Sequence, residues 1–185
     1  MSNRRYTNAE LGVAFEIDDS FADGPRLDPA GGLPGNVCAA YLVARESSGG
    51  QAVLSISRVE VGYDTSPQEL AEQLVIHNRY AAHTAERNGW TIHSSWKAAM
   101  LAGHPAMHCD YVVPPAADPP EADSAPAGAE SSGPGHVQAW VAYAGRQTYQ
   151  VTLGVNPPGD LSRNRAVIDT VVRTFEISAP AEPRD

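Results

Sequence analysis

The side chains that could carry chemistry in this 185-residue sequence are six histidines, two cysteines and a few acids. His93, His108 and Asp110 form the most suggestive set. His108 and Asp110 share one face of an extended segment, and His93 falls across a hairpin from them, so the three are geometrically able to converge on a small ligand. They carry no metal-ligand spacing signature. His104 and His108 are four apart, but one falls at a turn and the other in a strand, so helical i, i+4 ligation does not apply. No metal and no cofactor is therefore implied. His77 lies on a helical stripe and reads as a boundary histidine. Ser94 and Ser95 stand beside His93 without a Gly-x-Ser-x-Gly elbow. The glycines near Gly31 are not followed by a strand-to-helix turn with Lys-Ser/Thr, so there is no phosphate cradle. Asp18-Asp19 reads as a solvated turn. Cys38 and Cys109 each sit among apolar residues, the setting of small buried hydrophobes. No catalytic residue emerges, and the reading leans away from an enzyme.

The aromatics give a positive hint. Trp90, Trp96, Tyr111, Trp140, Tyr143 and Tyr149 all fall on the strands expected after the long helix. By strand alternation Trp140 shares a face with His136 and Gln138, opposite Val137, Val141 and Tyr143. An aromatic on a polar sheet face is a suitable anchor for a partner, which makes Trp140, Gln138, His136 and Trp96 the candidate partner-binding set. The competing reading covers Trp140 with the terminal helix or the long insert.

These residues need elements to position them. Ser66-Pro67-Gln68-Glu69 is a capping box with Pro at the first helical position, and Leu70, Leu74, His77, Ala81 and Ala85 draw one stripe as far as Asn88-Gly89. Gly12 to Ile17 alternates as a half-buried strand, with Arg5 to Asn8 as its hairpin partner. Val37 to Arg45 and Ala52 to Val61 pair across Glu46–Gly50. Trp90 to Leu101 and Ala106 to Val113 pair across Ala102-Gly103-His104-Pro105, and His136 to Tyr143 pairs with Gln147 to Val155. Asp160 caps a second helix with the stripe Leu161, Asn164, Ile168, Val171 and Phe175. Hairpins with helices set apart predict an α+β fold: a twisted antiparallel β-sheet of about six or seven strands, flanked by a long central helix and a C-terminal helix.

Residues 1–178 read as a single domain. Pro114 to Gly135 is rich in Pro, Ala and acids, lacks large apolar residues and reads as a disordered insert between two strands. Residues 179–185 read as a flexible tail, and the irregular Asp18–Asn36 loop reads as surface. The formal net charge is −9, which argues against a nucleic-acid surface. No apolar run reaches the roughly 20 residues that cross a bilayer, so the reading expects no membrane insertion and, as no leader or lipobox is seen, a cytoplasmic location.

The element order and several motifs resemble one superfamily. They are Gly12-Val13-Ala14-Phe15-Glu16-Ile17, Ser66-Pro67-Gln68-Glu69-Leu70, Leu101-Ala102-Gly103-His104-Pro105-Ala106, Tyr149-Gln150-Val151-Thr152 and the closing Val171-Val172-Arg173-Thr174-Phe175. The resemblance is to the superfamily that unites the PsbP protein of photosystem II, a Ran-binding nuclear-import factor, and the DcrB and LpqN bacterial lipoproteins. Asp18-Asp19-Ser20-Phe21 stands where such proteins commonly carry Pro-x-x-Trp. The resemblance implies a non-catalytic cytoplasmic binding module, an adaptor or chaperone for another polypeptide, and leaves room for a homodimer. The alternative is a small-molecule-binding protein or enzyme with a pocket between the sheet and the 18–36 loop.

Overall fold

Alternating burial lays out the first hairpin. Val13, Phe15 and Ile17 are buried while Glu16 is exposed, so strand β2 (Val13–Asp18) presents one apolar face and pairs antiparallel with β1 (Asn3–Asn8). The computed structural model describes residues 2–24, 37–45, 50–60, 66–114, 135–156 and 161–178. The chain continues through β3 (Ala22–Asp23), β4 (Val37–Arg45), β5 (Gln51–Glu60) and α1 (Pro67–Asn88). Then come β6 (Thr91–Leu101), β7 (His104–Val113), β8 (Gly135–Ala144), β9 (Gln147–Asn156), α2 (Leu161–Thr174) and β10 (Glu176–Ile177).

The fold is α+β, with a seven-stranded antiparallel sheet in the order β3-β4-β5-β9-β8-β7-β6. A single sheet does not hold every strand, however. β1, β2 and β10 form a second, three-stranded sheet. β10 is two residues long, too short to leave a periodic signal in sequence. Phe175, expected as the last residue of the helical stripe, has already left α2 and stacks on Phe15 at 5.6 Å.

α2 and β2 close the core over one face of the large sheet. α2 buries Asn164, Val167, Ile168 and Val171, while Leu161, expected on that stripe, is exposed. Facing them are Leu42, Leu54, Ile56, Trp140, Tyr149, Val151 and Leu153. Asp18 is buried at the end of β2, not a solvated turn. Its carboxylate accepts from Ser20 N at 2.9 Å and from Arg163 of α2 at 3.1 Å. Burial would raise its pKa, but the Ser20 hydrogen bonds and the Arg163 guanidinium outweigh it and leave the carboxyl below its ordinary value.

α1 lies over the other face, against β6 and β7. Ser66 Oγ accepts from Glu69 N at 3.2 Å and Glu69 reaches back to Ser66 N, the expected capping box; Gly89 ends the helix at φ 70°. The stripe Leu70, Leu74, His77, Ala81 and Ala85 faces the sheet but is only half-buried, and no described side chain of α1 is fully buried. Ala102 (φ 53°) and Gly103 (φ 77°) are both left-handed, giving β6 and β7 a two-residue turn of the primed hairpin type, so β7 begins at His104.

Several expectations fall outside the described residues: the hairpin loop at 46–49, the cap at Asp160, the side chain of Cys38, the tail from 179 and most of the insert, at 115–134. Gly135, expected as the last residue of the insert, instead begins β8 and pairs with Val113 of β7. The pocket proposed beside the 18–36 loop depends on residues 25–36, which are likewise outside.

Candidate functional site

A cleft of about 320 Å³ opens between α1 and the β6–β7 hairpin. His77, Tyr80, Ala81 and Thr84 form its helical wall; Trp90, Ile92, Trp96, Cys109 and Tyr111 form the sheet wall, with Ser94 and Ser95 at the edge. Helical spacing of three and four puts the α1 residues on one side. On the sheet, alternation brings Trp90, Ile92, Trp96, Cys109 and Tyr111 to the α1 face, with a bulged pairing between Ile92 and Lys97. Asn78 fixes that bulge: its Oδ1 accepts from Trp96 N at 2.8 Å and its Nδ2 donates to Trp96 O at 3.1 Å.

The rings are ordered among themselves. Trp90 and Tyr111 stack at 5.2 Å and 9°, and His77 meets Trp96 edge-on at 5.5 Å. None of the lining residues is a carboxylate, lysine or arginine. Burial pushes the Cys109 thiol up to about 12, helped by Asp110, so it stays protonated and is a poor nucleophile. Burial likewise raises the Tyr111 phenol. Of the described lining, His77 alone could act as a base, and the Cys109 thiol is no activated nucleophile. The rim of the cleft is open to solvent: Tyr80 is 70% exposed, and Ile76, one turn before it on α1, is 56% exposed.

The other candidate residues lie on the opposite face, beneath α2. Trp140 does share a face with His136 and Gln138, but it is only 8% exposed and its ring stacks on His108 at 4.1 Å. It is core and offers no exposed anchor, because α2 and β2 cover what local polarity marks as a solvated face. Asp110, His136 and Gln138 line a gap of about 20 Å³ closed by Asn164 and Arg165 of α2, room for about one water. His93 reaches this group by stacking on His136 at 5.9 Å. His108 is turned to Trp140, and Asp110 stands 4.0 Å from Arg165. The set His93, His108 and Asp110 is thus divided between neighbours. Among the described residues no three His, Cys, Asp or Glu side chains are grouped to hold a metal ion.

Of the sequence candidates, only Trp96 lines the cleft. Tyr80, Trp90, Tyr111 and His77 complete it. The available signal was the aromatic pair Trp90 and Trp96 beginning the strand directly after the helix, with an exposed tyrosine on that helix.

No family model matches the sequence, and no curated protein sequence matches it. Solved structures do. The solution structure of cyanobacterial PsbP from Synechocystis covers 96% of this chain and 93% of its own, at a TM-score of 0.57 and 15% identity. The crystal structure of the Saccharomyces cerevisiae Ran-binding protein Mog1p covers 96% of each chain, at 0.52 and 11%. The chain has the PsbP and Mog1p fold. A Bacteroides thetaiotaomicron crystal structure also matches at 0.57 and 8%; this chain spans about half its length, 50%. At such identities the likeness concerns the fold alone.

Proposed function

We propose that this PsbP- and Mog1p-like chain is a non-catalytic binding module for another polypeptide, an adaptor or chaperone acting in the cytoplasm, and that the α1/β6–β7 cleft is where the partner docks. One observation carries the reading: an aromatic-lined cleft with no charged lining residue has exposed Tyr80 at its rim and exposed Ile76 one helical turn away. Apolar surface of this kind, bordered by polar groups, marks interaction sites. Catalytic pockets instead gather ionisable groups with matched pKa values. That Mog1p is a Ran-binding protein shows the fold is compatible with a protein partner. No described helix is long and apolar enough to cross a membrane.

The double substitution Ile76→Ser with Tyr80→Ser tests the proposal. Both side chains are exposed, so the melting temperature should stay within a degree or two of the native value. Capture of the partner from host lysate should be lost. Undiminished capture by a normally folded double variant would exclude the cleft as the docking site.

A further inference from the structure

We infer that the cleft receives a tryptophan side chain of the partner polypeptide, its indole N–H donated to His77; this rests on the polypeptide-binding reading above. The tautomer of His77 supplies the argument. Its Nδ1 lies 2.9 Å from the carbonyl oxygen of Gln73. A carbonyl only accepts, so Nδ1 carries the proton and Nε2 keeps a lone pair. Among the described residues nothing donates to Nε2. The ring is half-buried in an aromatic cleft and Nε2 is open to solvent, so it can accept from a donor brought by a partner.

Charge and shape narrow the occupant. With no charged lining residue, a carboxylate anchor would enter uncompensated, at a large desolvation cost, and a cation would have ring faces alone to rest on. The walls are rings: the parallel Trp90–Tyr111 pair, Trp96, and Tyr80 at the rim. Flat faces gain most from another flat ring in stacked or edge-on contact. The volume, about 320 Å³, lies at the small end of ligand pockets, roughly 300–1,000 Å³, which suits a single bicyclic ring. Indole meets all three conditions: it is planar and neutral, and its nitrogen is donor only. Phenylalanine lacks the donor.

The test uses nine-residue Gly/Ser peptides with one central residue, titrated into the isotopically labelled full chain and followed by NMR at the cleft backbone amides and the Trp90 and Trp96 indoles. The tryptophan peptide should shift cleft signals and bind about tenfold more tightly than its 1-methyltryptophan and phenylalanine counterparts, the scale of one hydrogen bond. In His77→Phe the tryptophan and 1-methyltryptophan peptides should bind equally. Tyr80→Ala, at an exposed position, should weaken all of them without unfolding the chain. Equal binding of the tryptophan and phenylalanine peptides in the native chain would overturn the indole assignment and leave polypeptide docking standing. Free indole binding more tightly than the tryptophan peptide would overturn it in favour of a small-molecule site. Failure of every peptide to shift cleft signals would overturn both the assignment and the cleft as docking site.

Discussion

His108 and Trp140 stack at 4.1 Å inside the sheet, and Nε2 of His108 is buried with no hydrogen-bond partner among the described residues. Burial holds the His108 pKa below its ordinary value; Asp110 opposes the shift and Lys97 adds to it. A histidine depressed on folding binds its proton more readily in the unfolded chain. Its stabilising effect is therefore complete above the unfolded pKa, about 6.5, and fades as pH falls below that. Chemical denaturation from pH 7.5 to 5 should show stability dropping with acid, and His108→Phe should flatten that slope; an unchanged slope would contradict the assignment. Trp140→Ala should cost about 3–5 kcal/mol, as for a core tryptophan. Val141→Ala, at a side chain also buried at 7% exposure on the other face, deletes fewer atoms and should melt higher. The reverse order of melting temperatures would show that Trp140 contributes little to the core. The alternation around Trp140 was legible in the sequence. Which face is solvated was not, because the cover comes from α2 and β2, distant in the chain, and His136 and Gln138 look locally like surface residues.

At the scale of elements, the two helices are held differently. α2 sinks Val167, Ile168 and Val171 into the core and ties Arg163 to Asp18. α1 has no fully buried described side chain and is joined to the sheet by half-buried contacts and the Asn78–Trp96 pair of hydrogen bonds. Elements with few buried apolar contacts open locally at lower free energy than the core. Hydrogen exchange in the free protein should therefore show α1 amides opening well before those of β5 and β9, with partner binding slowing exchange in α1. Equal protection of α1 and β9 in the free protein would contradict this. The sequence located α1 well, since the capping box, stripe and terminal glycine are all local signals. It also placed the hairpins of the large sheet to within a few residues. It did not reveal β3 and β10, because two-residue strands exist only through their partners.

The whole molecule places one helix on each face of a large antiparallel sheet, and this separates the two candidate surfaces. Beneath α2, Asp110, His136 and Gln138 surround a gap of about 20 Å³. Beneath α1 the aromatics surround an open cleft of about 320 Å³. The contrast was not readable from residue types, since both faces mix tryptophan, histidine and small polar side chains. Only the closeness of helix packing distinguishes them. A photo-crosslinking amino acid placed separately at Tyr80, on the cleft rim, and at Arg165, on the exposed surface of α2, tests the central claim most directly. Irradiation in host lysate should yield a polypeptide adduct from position 80 and none from position 165. An adduct at 165 with none at 80 would contradict the account and move the docking surface to the α2 face.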